Sequence, residues 1–283
     1  MSDLAEQTQA QGGNLLASVK HPIIDSDGHV MEPVDLWQRY TPAKLRDRAP
    51  KPLSADVMTN AAMVIDGVQV GRQHKAYLEE DKKRFAEDVR TDYSVKNQLA
   101  GMDQEGIAAS VLFPTRGLLI MGVSGIDPVV TTAAAAAYNQ WLHEFCADGN
   151  SRLFAAGMID PRDIASARTE ARRCVRDLGF TAIFLRPNQV NNLPWHDPAY
   201  DPLWAEIADL DVPVCFHEGS MVMLPQVGTD RFSEIALWHV CTHPMEQQMA
   251  MLSMIMGGVA ERHPKLRMAF LECGAAHDHG QHG

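Results

Sequence analysis

An α/β fold of the (β/α)8 TIM-barrel type, with about six βα units present, is what this sequence predicts, and three observations predict it. Short apolar runs alternate with helical patterns six times over, the layout of a parallel sheet with crossover helices. Each run ends on a polar or ionisable residue: His29, Thr115 or Arg116, Asp160, Arg186, His217 and Glu272. A closed barrel brings all such ends to one face, where chemistry occurs in this architecture. An open doubly wound sheet also places ligands at strand ends, but no glycine-rich turn follows the first run to cradle a phosphate. A metal clamp stands there instead.

That first run is the organising stretch. In IIDSDGHVMEP, beginning at Ile23, apolar residues give way to carboxylates and an imidazole. Alternation along a strand sends Asp27 and His29 to the same side, and Gly28 leaves the backbone bare between them. The pair reads as a bidentate clamp for a divalent ion. A short helix is expected over 34–40, after which Pro42, Pro50 and Pro52 open a long insertion at about 41–92. Residues 75–88 crowd charges of both signs, which reads as a solvated surface face, with a substrate lid as the functional alternative.

Regularity resumes at Tyr93. Val95, Leu99 and Met102 keep helical spacing up to Gly106, and a strand is expected over 108–113. An Ala-rich helix over 129–146 leads to a strand at 154–159. Asp160-Pro161 is expected to start the next helix, with Ile164, Ala167, Ala171, Cys174, Val175 and Leu178 as its buried stripe and Gly179 as its stop. Strand 180–185 then ends at Arg186, helix 201–208 follows, and strand 212–216 ends at His217. His243 and Pro244 are expected at the start of a Met-rich helix over 245–262, whose methionines read as core packing. The last strand, 267–271, ends at Glu272.

Composition narrows the function classes. With 283 residues and 46% hydrophobic content the chain can fill a sizeable core. Its formal charge of -11, without a Lys/Arg block, argues against nucleic acid. The five cysteines form no short-spaced pair, which argues against a disulfide framework or zinc ribbon and for a reducing compartment. Residues 1–20 read as a loose tail without the features of a signal peptide, and no apolar run reaches the roughly 18 residues of a membrane span. A soluble, cytoplasmic protein is expected.

The phrases IIDSDGHVMEP, MDQEGI, YNQWLHEFCADGNSRLFAAGMIDP, GFTAIFLRP, YDPLWAEIADLDVPVCFHEG and HPMEQQMAMLSMIMGGVAERHPKLRMAFLECGA, in that order, resemble the amidohydrolase-related proteins. That branch includes aminocarboxymuconate semialdehyde decarboxylase and other decarboxylases and hydrolases of ring-derived acids. The likeness runs from about Ile23 to Ala275. It implies a distorted barrel holding one catalytic divalent ion, commonly zinc, with Asp27, His29 and His217 as ligands. Glu272 takes the place where the decarboxylases carry a histidine, so it is read as an acid or base, a metal contact or a substrate anchor. The resemblance further implies a Gly-Ser-Asp phrase on an eighth strand, and the sequence instead runs into AHDHGQHG over 276–283. This stretch reads as a foreign ending on a truncated chain or, through His277, His279 and His282, as a second ion site.

The residues themselves set the chemistry to expect. His217 alone would be a core histidine, but at a strand end facing Asp27 and His29 it becomes a ligand. Nitrogen and oxygen donors suit zinc best, with manganese or iron compatible. His243 is the candidate acid or base, its pKa lowered by a helix start, unless it merely opens the helix. Arg186 pairs a substrate carboxylate or ties strand ends together. The leading expectation is a metal-dependent hydrolase or carboxy-lyase acting on a small, ring-derived carboxylic acid. A non-catalytic remnant that binds a metal or partner chain through open strand edges is the alternative. The same edges leave homo-oligomer formation open. A phosphate-handling barrel is disfavoured by the missing anion loop.

Overall fold

A six-stranded sheet, parallel throughout, carries the chain in its sequence order: β1 (Ile23–His29), β5 (Ile107–Phe113), β6 (Leu153–Met158), β7 (Ala182–Leu185), β8 (Val214–Phe216) and β9 (Met268–Phe270). The computed structural model describes residues 21–53, 62–71, 86, 90–91, 93–219 and 223–274. The expected tail at 1–20, charge run at 75–88 and His-rich ending lie wholly or almost wholly outside them. Neighbours in sequence are neighbours in the sheet at every step, which is the connectivity of a curling β/α half-barrel. Inside the expected insertion, β2 (Lys51–Pro52), β3 (Met63–Ile65) and β4 (Val68–Val70) form a small antiparallel sheet.

The connecting helices start and stop where side chains take up loose backbone groups. Ser94 caps α2 (Val95–Glu105) by accepting from Asn97 N–H, and Gly106 ends it at φ 69°. Asp127 caps α4 (Pro128–Ala147), with Pro128 in the first turn. Short helices α1 (Leu36–Tyr40) and α3 (Gly117–Met121) follow the ends of β1 and β5. The core lies where α4 and its successors cover the sheet: Tyr138, Ile183, Phe184, Leu203, Trp204, Val214 and Phe216 are buried.

Several expected boundaries shift. Asp160 does not cap the helix after β6. Its carboxylate is buried against Arg162 at 2.7 Å and the Thr131 hydroxyl, so the cap of α5 (Ile164–Arg172) falls to Asp163, which accepts from Ser166 N–H. The stripe expected as one helix passes into a π-helical turn, Arg173–Asp177, which still seats Cys174 in the core. The helix α6 (Asp201–Asp209) begins at Asp201, as its Asp-Pro pair predicts.

The largest correction concerns the Met-rich helix. It runs as α7 (Ile235–Met256), with Pro244 inside it and His243 near its middle. Proline removes the hydrogen bond to the carbonyl four residues back, but that carbonyl belongs to Val240, which is 69% exposed and can turn to water. Gly258, at φ 81°, then breaks the path before α8 (Val259–Arg262). His243 is thus about two turns inside the helix, away from the positive end expected to act on it.

Candidate metal centre

Strand β1 reaches its end through a bulge. Asp25 pairs with Ser110 and Gly28 with Leu112, three steps on β1 against two on β5. The Asp25 carboxylate spans the irregularity, accepting from Asp27 N–H and from the Ser110 hydroxyl, each at 3.0 Å. A Cβ at position 28 would lie 2.2 Å from Ser110 Oγ and 2.9 Å from Asp25 Oδ2, so only glycine fits. Sequence reading missed Asp25, although its place two residues before Asp27 was the signal.

This bulge aims Asp27 and His29 at the end of β8. His29 Nε2 lies 2.9 Å from His217 Nε2, and Asp27 Oδ1 lies 3.1 Å from the same nitrogen. Each imidazole has its other nitrogen against a backbone carbonyl: His29 Nδ1 is 3.0 Å from Pro114 O, and His217 Nδ1 faces Glu218 O. Acceptors at both Nδ1 positions favour Nδ1–H, which leaves two Nε2 lone pairs facing each other. Asp27 Oδ1, shut off from water and outside hydrogen-bonding geometry with any donor, adds a third lone-pair centre. Three such atoms crowded together repel unless a positive charge joins them, which makes them a candidate donor set for a divalent cation. Burial, then the nearness of His217, pushes the His29 pKa down, keeping the ring in its ligating neutral form. Phe113 forms one wall, its ring centroid 5.7 Å from that of His217.

Beside the triad stands a proton-bearing pair. Glu272 Oε2 lies 3.0 Å from His243 Nε2 and 3.9 Å from His217 Nε2. The hydrogen bond from His243, outweighing partial burial, holds the Glu272 carboxyl down at about 2. Gln247, one turn beyond His243, donates to the carbonyls of Phe216 at 2.7 Å and Leu271 at 3.0 Å. Those residues immediately precede His217 and Glu272, so one amide sets both side chains against α7. Its spacing of four from His243 was the readable signal.

Arg186 joins none of this. Its side chain is buried and every guanidinium nitrogen has a protein acceptor: Glu218 and Gly219 O, Asn188 Oδ1 at 3.0 Å, and Leu118 O at 3.0 Å. Arg186 ties strand ends together, and these bonds take four of its five N–H donors, which leaves the expected bidentate bond to a substrate carboxylate short of donors. Arg116 is likewise buried, donating to the carbonyl of Glu32, whose carboxylate accepts from Arg116 N–H at 2.8 Å and Gly117 N–H at 2.9 Å. Glu218, hidden in the phrase HEG, was missed by sequence reading because nothing local announces its partner thirty-two residues earlier.

The amidohydrolase family profile matches residues 24–283. The chain belongs to the amidohydrolase family. Among curated relatives it is 30% identical over 138 residues to 2-amino-3-carboxymuconate-6-semialdehyde decarboxylase of Dictyostelium discoideum, covering 49% of this chain and 37% of that one. Gamma-resorcylate decarboxylase of Rhizobium radiobacter is 30% identical over 175 residues, covering 59% and 51%. The aligned part thus spans about half or less of these curated relatives. Among solved structures, an amidohydrolase from Mycobacterium avium subsp. paratuberculosis superposes with a TM-score of 0.68 at 24% identity, covering 92% of this chain and 74% of that one. These likenesses support the β/α-barrel fold. Among the described residues no helix is long and apolar enough to cross a membrane, and the five cysteines are free thiols.

Proposed function

We propose that this amidohydrolase chain serves a metal-dependent carboxy-lyase acting on a small, ring-derived carboxylic acid, with hydrolysis as the related alternative. The observation that carries the reading is the convergence of Asp27 Oδ1, His29 Nε2 and His217 Nε2, with both Nδ1 atoms committed to carbonyls. Decarboxylase relatives and the proton-bearing pair next to the triad favour decarboxylation. A solved structure of 5-carboxyvanillate decarboxylase from Novosphingobium aromaticivorans contains manganese, so the donor set is read here as one for zinc or manganese.

A divalent cation held by these three atoms supplies Lewis-acid polarisation of a substrate oxygen. The rest falls to the chain. Loss of carbon dioxide breaks the bond between the ring carbon and its carboxylate, and a proton must reach that carbon as the bond electrons return to it. His243, buried and hydrogen-bonded through Nε2, delivers that proton, while the Glu272 carboxylate holds the imidazole in place and balances its charge. Glu272, with its side chain 41% exposed, also gives the pair a route to solvent for recovering the proton.

The test is metal content by elemental analysis of the purified chain and of His29→Ala and His217→Ala. Roughly one tightly held ion per chain is expected in the parent, with at least a tenfold loss of affinity in each variant. Equal retention in all three would sink the reading.

A further inference from the structure

Three more ligand-type side chains converge beside the triad. His239 and His243 stand four residues apart on α7, so their rings share one helix face, with centroids 3.9 Å apart. Glu272 brings Oε2 to 3.0 Å from His243 Nε2, and one ligand atom from each of the three lies within 4.8 Å of the others. A histidine pair at i and i+4 with a carboxylate from another element is a donor set that holds zinc with a position to spare. Backbone support is also present, because His243 Nδ1 lies 3.2 Å from the carbonyl of His239, which steers Nε2 toward Glu272. His239 is exposed and Glu272 is partly so, and a cation therefore reaches this cluster from solvent without passing through the triad.

We propose that His239, His243 and Glu272 form a second divalent-cation site, selective for imidazole-binding metals such as zinc, cobalt or nickel, that inhibits the enzyme when filled. The binding claim rests on this geometry alone. Its inhibitory consequence rests on the proton-transfer reading above: a cation here takes the lone pair of His243 Nε2 and an oxygen of Glu272, the atoms that otherwise share the proton. Only 3.9 Å separates Glu272 Oε2 from His217 Nε2, so the two centres meet at one carboxylate. The second site binds more weakly, since it is open to water.

Zinc titration of the metal-stripped full chain by equilibrium dialysis tests the proposal. Two ions per chain are expected, the second at least about tenfold weaker than the first. His239→Gln weakens the second ion at least about tenfold and leaves the first, whereas His29→Ala loses the first and leaves the second. Excess zinc then inhibits the parent and spares His239→Gln. A single ion in the parent overturns the second site, and so does a second ion unchanged in both His239→Gln and Glu272→Gln. Loss of that ion only on replacing His277, His279 and His282 together would assign it to the chain ending and also overturn the proposal. A first ion that survives His29→Ala would count against the triad alone, so the two failures are distinguishable.

Discussion

Two clusters of ionisable side chains stand at the carboxyl ends of the strands and are built on opposite plans. Around Arg186, charge is closed in: Glu218 takes the guanidinium, Asn188 bridges Glu218 and Glu246, and Gln226 donates to Glu218 Oε1 at 2.9 Å. Around His217, polar atoms are aimed at one another and left without donors. Both clusters are buried or nearly so, and burial alone would not separate them. What separates them is satisfaction. A structural network consumes its hydrogen-bonding capacity, while a ligand site holds lone pairs in reserve and keeps them in place by bonding the far side of each ring.

This contrast gives its sharpest test in Arg186→Met. Removing the cation leaves Glu218 buried without its charge partner, and a loss of about 3–5 kcal/mol of unfolding free energy is expected in a denaturant titration. Metal content of the chain that remains folded should be unchanged. Loss of the ion with little loss of stability would instead put Arg186 among the residues of the metal centre.

A smaller effect separates geometry from chemistry within the triad. Gly28→Ala removes no ligand, yet its Cβ meets Ser110 and Asp25, so a cost of about 1–3 kcal/mol and weaker metal retention are expected. Adding Ser110→Ala removes the nearest clashing atom and should restore part of both. No recovery in the double variant would show that the bulge is not what aims Asp27.

The smallest effect lies far from both clusters. Arg48 bonds Asp66 and Asp127, each at 2.7 Å, and pulls both carboxyls below their usual range. Depressed carboxyl pKa values in the folded state give stability that is present above about pH 4 and lost as pH falls through the lowered values. These groups are exposed, so the slope should be shallow. Arg48→Gln should flatten that acid limb in urea midpoints measured from about pH 5 to 2, and parallel curves would refute the assignment.

Much of the architecture was legible because it rests on local rules. Apolar runs bounded by Gly and Pro, Asp201-Pro202 at a helix start, and polar residues closing each strand follow from backbone geometry that a short window contains. Asp27, His29 and His217 could be brought together as candidate ligands by the same logic, since strand ends in a parallel barrel share a face. His243 was picked out for the right neighbourhood and the wrong reason, and of the two roles expected of Arg186 its bonds show the tie between strand ends. A helix start was inferred at Pro244 because proline favours a helix's first turn, yet α7 passes through it, and the carbonyl left without its N–H partner belongs to Val240, a residue 69% exposed.

By itself, then, the sequence determined the order of strands and helices and which side chains reach the carboxyl face, because periodicity and turn chemistry act within a few residues. Only the tertiary structure decided which of those side chains are satisfied. Glu218 claims Arg186 from thirty-two residues away, Pro114 and Glu218 carbonyls set the tautomers of His29 and His217, and Gln247 draws α7 onto two strand ends. Hydrogen-bond capacity is spent between elements distant in the chain, and no local pattern records where.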